Sequence, residues 1–206
     1  AVFLSAFWNH NKKETQTVQA VDHKAKTLSE EESTTEPETE EEETLRYPKV
    51  SEQYTEIVSE NVRSPYVALL DVENNCIIAG KNKDARIYPA SMTKIMTAIV
   101  ALEAFSDLDH EITLSENIFY ALDGQDATQA GFQPGESVRV RDLVYGVMLP
   151  SGAECCLALA DEASGSEEAF VEKMNKKAKS IGMKDTNFMD CTGLHDPEHY
   201  STAYDI

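Results

Sequence analysis

The run "SMTKIMTAIVALEAF", Ser91 to Phe105, contains neither glycine nor proline, and Ile95, Met96, Ile99, Val100, Leu102 and Phe105 wrap around more than one stripe of a 3.6-residue helix. A helix apolar over that much of its surface should be buried on most sides, so the chain is expected to fold around it as a central helix. Only part of the sequence can supply the surrounding layers. Residues 51–206 hold most of the aliphatic and aromatic side chains. Residues 9–46 are rich in Thr, Glu, Ser and Gln, include "EEESTTEPETEEEET", and bury too little to offset the entropy of ordering. They are expected to form a disordered acidic linker ahead of one domain on residues 47–206.

The chain has 37 acidic and 18 basic residues, a net charge of −19, and most of the excess lies within residues 51–206. A surface this negative repels a phosphate backbone, and no Lys/Arg cluster interleaved with aromatics stands against it, so nucleic acid is excluded as a partner. The first eight residues, "AVFLSAFW", are apolar and do not begin with Met. Eight residues fall short of the roughly 20 that a helix needs to span a bilayer, and they read as the remnant of a signal peptide or membrane anchor. An anchor followed by a flexible acidic spacer would hold the domain away from an anionic membrane surface. The expected location is extracytoplasmic, secreted or membrane-anchored.

"YVALLDVENNCIIAGKN", Tyr66 to Asn82, alternates around Asn74 and Asn75 and predicts a β-hairpin. Residues 106–140 read as polar loops and short strands, including "EITL" and the alternating run after the Pro-Gly of "QPGESVRV". Helices are predicted over about 140–148, 154–163 and 166–181, the last stopped by Gly182, and "STAYDI" reads as a further helix start capped by Ser201. One hairpin with several helices indicates an α+β domain in which an antiparallel sheet packs with helices. Two strands alone rarely make a stable sheet, so further strands are expected beyond residue 206.

Ser91 and Lys94 lie three residues apart, the spacing that makes neighbours on a helix surface. Of the 13 lysines, only Lys94 has Ser or Thr three residues before it. A serine hydroxyl is a weak nucleophile until a base takes its proton, and a desolvated lysine amine is one such base. Apolar surroundings disfavour the charged form of an amine, and so does the positive end of a helix dipole. A second hydroxyl, Ser151, sits on the Pro-Ser-Gly turn of "MLPSGAECCLALA", where it could relay a proton to a leaving amine.

"PASMTK", "QPGESVRVRDLVYGVMLPSG" and "MNKKAKSIGMKDTNFMDCTGLHDPEHYSTAYDI", in that order, resemble the serine D-alanyl-D-alanine carboxypeptidases. These are low-molecular-weight penicillin-binding proteins with the fold shared by serine β-lactamases and transpeptidases. The resemblance implies that Ser91 attacks the bond between the two terminal D-alanines of a peptidoglycan stem peptide, with Lys94 as base and Ser151 as proton relay. Water then releases the acyl-enzyme. It implies β-lactams as inhibitors, no cofactor and no metal, and a substrate-binding role for Gly152 and Ala153.

Two departures follow from the same resemblance. Ala153 stands where the family's second motif usually has Asn, and the adjacent Glu154 cannot donate an amide hydrogen bond. The family's third motif, Lys-Thr-Gly, does not occur in these 206 residues, since "CTG" at 191–193 lacks the lysine. The domain is therefore expected to be incomplete at its C-terminus, and the 206 residues alone to be inactive. A non-catalytic wall-binding homologue and a serine β-lactamase are the alternative readings.

Two further features carry weaker signals. "HDPEH", His195 to His199, matches a zinc-peptidase pattern that needs both histidines on one helix, but Pro197 interrupts it. Adjacent Cys155 and Cys156 do not have a metal-binding spacing, and with Cys76 and Cys191 they read as free, mostly buried thiols.

Overall fold

The computed structural model describes residues 47–206. The expected anchor remnant at residues 1–8 and the acidic linker at 9–46 lie outside the described residues.

A three-stranded sheet opens the domain. Strand β2 (Val67–Asp71) and strand β3 (Cys76–Lys81) form the expected antiparallel hairpin. Its turn is closed by the Asp71 carboxylate, which accepts from Asn74 N at 3.1 Å and Asn74 Nδ2 at 2.7 Å, the local side-chain closure that Asp favours. Strand β1 (Lys49–Glu56) was not expected. It runs parallel to β3, from Lys49 opposite Cys76 to Glu56 opposite Gly80, giving the order β1-β3-β2. Its sequence "KVSEQYTE" carries no apolar alternation, so pairing with β3 rather than its own pattern makes it a strand. The α+β class stands, with one parallel pair in the sheet.

A 3₁₀ turn (Ala90–Met92) leads into helix α1 (Thr93–Ala104). A two-stranded ribbon pairs β4 (Glu111–Thr113) with β5 (Ser137–Arg139), and its one buried cross-strand pair is Ile112 and Val138. Between them lies α2 (Glu116–Leu122), a helix the sequence reading missed; only Ile118 and Leu122, four residues apart, are buried. Helices α3 (Val140–Met148), α4 (Ala153–Ser164) and α5 (Glu167–Ser180) fall where expected. Ser166 caps α5, its hydroxyl accepting from Ala169 N at 3.2 Å.

The most enclosed helix is α4, not α1. Eight consecutive α4 residues, Ala153 to Ala160, are buried, and α4 packs against α1, α2, α3 and α5. Its small Ala and Cys side chains set the close approach that lets four neighbours surround it. Helix α1 packs against α3, α4 and α5 through Met96, Val100 and Ala101, while Ile95 and Leu102 stay 44% and 46% exposed. The expected burial on most sides is thus only partly met among the described residues.

Leu114, Val140, Leu143, Leu159, Phe170 and Met174 form the innermost core, each fully enclosed. Burying a side chain of this size contributes about 1.5–3 kcal/mol. This core carries the two turns, before α1 and before α4, on which the candidate site stands.

The helix expected from Ser201 is replaced by bridges. Ile87 N donates to Ser201 O at 2.8 Å and Ser201 N to Ile87 O at 3.0 Å, while Tyr200 pairs with Asn187. Ser201 Oγ meets Thr186 Oγ1 at 2.8 Å, so it is not available as a cap, and Thr202 Oγ1 accepts from Asp205 N instead. All four cysteines are free. Burial, aided by nearby carboxylates and opposed by Lys94, pushes the Cys156 thiol up to about 12, leaving it protonated and unreactive.

Candidate active site

Two tight turns meet at the head of α1. Pro89 is followed by Ala90 at φ +49°, a left-handed backbone for a residue that is not glycine, and the chain then passes through the 3₁₀ turn into α1. Ser91 therefore sits on that turn, just before the α-helix proper, and is exposed; Lys94 lies in the first helical turn and is only 5% exposed. The three-residue spacing still brings them together, with Lys94 Nζ 3.2 Å from Ser91 Oγ. The second turn, between α3 and α4, puts Ser151 at φ +65° and its hydroxyl 3.0 Å from Ser91 Oγ. Left-handed non-glycine residues cost of order 1–2 kcal/mol each and persist where the surrounding structure forces them. Both turns beside Ser91 carry that strain.

Lys94 Nζ has a second partner, the backbone carbonyl of Thr192 at 2.5 Å. Among the described residues Lys94 has no ion pair, so its polar contacts are a hydroxyl and a carbonyl. Thr192 was missed by sequence reasoning, because a carbonyl carries no residue-specific signal. The loop bearing it presses on the nucleophile turn. A Cβ at Gly193, which has φ +83°, would lie 2.0 Å from Ala90 O and 3.0 Å from Ser91 N, so only glycine fits there.

Gly152 and Ala153 line the other side of the turn. A Cβ at Gly152 would sit 2.8 Å from Ala130 Cβ, and Ala153 is 1% exposed with its N–H donating to Thr128 O at 2.8 Å. The methyl of Ala153 belongs to the core and offers no hydrogen bond. Glu154 is fully buried, and its carboxylate engages the neighbouring loop. Its Oε1 accepts from Ala130 N at 2.6 Å and Gly131 N at 2.9 Å and pins that loop against Gly152, while Oε2 has no partner.

The histidines of "HDPEH" point to different places. His195 meets the Tyr88 ring edge-on at 4.8 Å, whereas His199 is 2% exposed with Nε2 on Thr93 Oγ1 and Nδ1 on Asp190 Oδ2. Both ring nitrogens of His199 are thus engaged.

The arrangement at the head of α1 is chemically specific: an exposed hydroxyl held between a buried amine and a second hydroxyl, beside the N-terminal end of a helix. Such a group can attack a carbonyl, lose its proton to the amine, and present backbone N–H groups to the oxyanion that forms.

A family model described as D-alanyl-D-alanine carboxypeptidase matches residues 51–206. The D-alanyl-D-alanine carboxypeptidase DacF of Bacillus subtilis is 38% identical over 142 residues, covering 67% of this chain and 36% of DacF. Penicillin binding protein 5 of Haemophilus influenzae superposes with a TM-score of 0.67 at 33% identity, over 72% of this chain and 44% of that one. The Streptomyces K15 DD-transpeptidase gives 0.62 at 34% identity, over 68% and 55%. The chain spans 36% of the length of the first curated relatives it matches.

Proposed function

The chain belongs to the D-alanyl-D-alanine carboxypeptidase family, and from that membership we propose that Ser91 cleaves the terminal D-Ala-D-Ala bond of peptidoglycan stem peptides through an acyl-enzyme. One observation carries the reading: Ser91 Oγ lies 3.2 Å from Lys94 Nζ and 3.0 Å from Ser151 Oγ on an exposed turn. In the acylation step Ser91 Oγ bonds to the penultimate D-alanine carbonyl carbon while its proton passes to the Lys94 amine. The C–N bond then breaks as the departing D-alanine nitrogen takes a proton relayed through Ser151. Water then attacks the ester carbonyl, the C–Oγ bond breaks as one water proton returns to Ser91, and the stem peptide leaves as a carboxylate with the other proton released to solvent. The Ser91 N–H contributes one oxyanion donor, and Gly193 leaves room beside it.

The substrate places the enzyme on the extracytoplasmic side, facing the cell wall, with the N-terminal segment as its tether. Penicillins mimic the D-Ala-D-Ala end and trap Ser91 as a stable ester. Gly152 and Ala153, both buried, shape the turn that presents Ser151 to the substrate.

The test is labelling of the full-length protein by a fluorescent penicillin together with D-alanine release from a stem pentapeptide. Both are expected for the wild type and neither for Ser91→Ala; labelling that survives Ser91→Ala refutes the assignment. The buried Ala153, offering no side-chain donor, favours one second reading, a non-catalytic wall-binding protein. Stem-peptide binding without D-alanine release identifies it.

A further inference from the structure

Lys94 can serve as a base only if its lone pair faces Ser91, and a four-carbon side chain does not ensure that by itself. A neutral amine has two N–H bonds and one lone pair. When one N–H is spent on the Thr192 carbonyl, 2.5 Å away, the lone pair can turn to Ser91 Oγ. The aim of Lys94 thus depends on where the Thr192 peptide sits.

That peptide is clamped from outside the reacting groups. Asp190 Oδ1 accepts from Thr192 N at 2.7 Å, Thr192 Oγ1 at 2.8 Å and Gly193 N at 2.6 Å. Asp190 Oδ2 faces His199 Nδ1 at 3.0 Å, and His199 Nε2 lies 2.8 Å from Thr93 Oγ1, on the residue next to Lys94. Met189 N also approaches His199 Nδ1, at 3.3 Å, but the shorter contact to a carboxylate assigns a proton to Nδ1, and Nε2 faces the Thr93 hydroxyl. One helical turn on, Thr97 Oγ1 donates to Cys191 O at 2.6 Å. Thr93, His199 and Thr97 are at most 2% exposed.

We propose that Asp190, His199 and Thr93 are positioning residues for catalysis: a carboxylate–imidazole–hydroxyl chain, its imidazole and hydroxyl buried and its carboxylate partly so, that locks the 190–193 loop to the first turn of α1 and so aims the Lys94 lone pair at Ser91. The proposal rests on the reading of Lys94 as base. Apolar packing could hold a loop in place at lower desolvation cost, whereas this chain fixes directions as well as distances and ends beside the base. None of the three touches Ser91 or Ser151.

The test compares saturation kinetics of acylation by a fluorescent penicillin in the full-length wild type, Asp190→Asn, Thr93→Val and Thr93→Ser, with the folded fraction measured by circular dichroism. Asp190→Asn replaces the acceptor facing His199 with an amide that can donate, and Thr93→Val keeps the shape of the side chain but removes the hydroxyl. Both are expected to lower the limiting acylation rate by about 10- to 100-fold at unchanged half-saturation. Thr93→Ser restores the hydroxyl and recovers the rate to within about threefold.

Rates within about twofold of wild type in both Asp190→Asn and Thr93→Val, or rates that fall only with the folded fraction, overturn the proposal. So does equal loss in Thr93→Val and Thr93→Ser. If Asp190→Asn does not fold, the Thr93 pair decides alone. A wild type that is never labelled overturns the proposed function and this inference with it; a labelled wild type with unaffected variants overturns the inference only.

Discussion

Asp190 should make the domain acid-labile in a specific window. Burial opposes its ionisation, but hydrogen bonds from His199 and Thr192 outweigh that cost and hold the carboxyl at about 2. An unperturbed Asp titrates near 3.9, and one unit is worth about 1.4 kcal/mol, so ionised Asp190 contributes about 2 kcal/mol after allowance for residual solvent contact. The side chain is 20% exposed, which keeps that allowance small. Because the folded-state value is the lower one, this stability is fully present above about pH 4 and is lost as the pH falls through about 2.

Urea unfolding of wild type and Asp190→Asn at closely spaced pH values measures it. The gap between the two proteins at pH 6 includes a pH-independent part from the disturbed loop, but it should narrow by about 1.5 kcal/mol between pH 4 and 2, where Asp190 is half protonated. A gap that stays constant over that range refutes the argument that His199 and Thr192 hold the charge.

Ser151→Gly removes a side chain from a left-handed position, so it should raise unfolding free energy by up to about 1 kcal/mol while slowing acylation by about 10²- to 10⁴-fold; denaturant midpoints and penicillin labelling read the two effects. Gly193→Ala drives a Cβ into the Ala90 carbonyl and should cost about 2–4 kcal/mol, with labelling of Ser91 lost even where the protein still folds. Phe170→Ala, in the innermost core, should cost about 3–5 kcal/mol by thermal or urea unfolding. Glu103→Gln, which breaks the surface pair with Lys177, should cost less than about 1 kcal/mol.

Elements with local punctuation were legible in the sequence. The hairpin announces itself through Asn74 and Asn75, and α5 through the Ser166 cap, which the structure shows in use. Elements that exist only by tertiary pairing were not. Strand β1 is mostly polar, without apolar alternation, and becomes a strand because β3 offers it an edge. Helix α2 buries two side chains in seven residues, too weak a period to separate from loop. Among the described residues α1 is apolar on more than one stripe yet leaves Ile95 and Leu102 exposed, whereas α4 achieves enclosure with alanines and cysteines that let neighbours come close, because burial depends on close approach as well as on apolar content.

The same division runs through the site. Ser91 and Lys94 are set by spacing along one segment, and Ser151 was found through its turn, 60 residues away. What aims Lys94 is a carbonyl 98 residues from it, and a carbonyl has no letter in the sequence. The strain is equally hidden: "PAS" and "PSG" read as ordinary turns, yet Ala90 and Ser151 both adopt left-handed backbone without glycine's freedom. A selection for stability alone would favour glycine at either position. At Ser151 that exchange would delete the hydroxyl that meets Ser91. At Ala90 it would loosen the turn on which Ser91 stands and against which Gly193 is packed. The strain in the two turns is the cost of holding two hydroxyls 3.0 Å apart at the head of a helix.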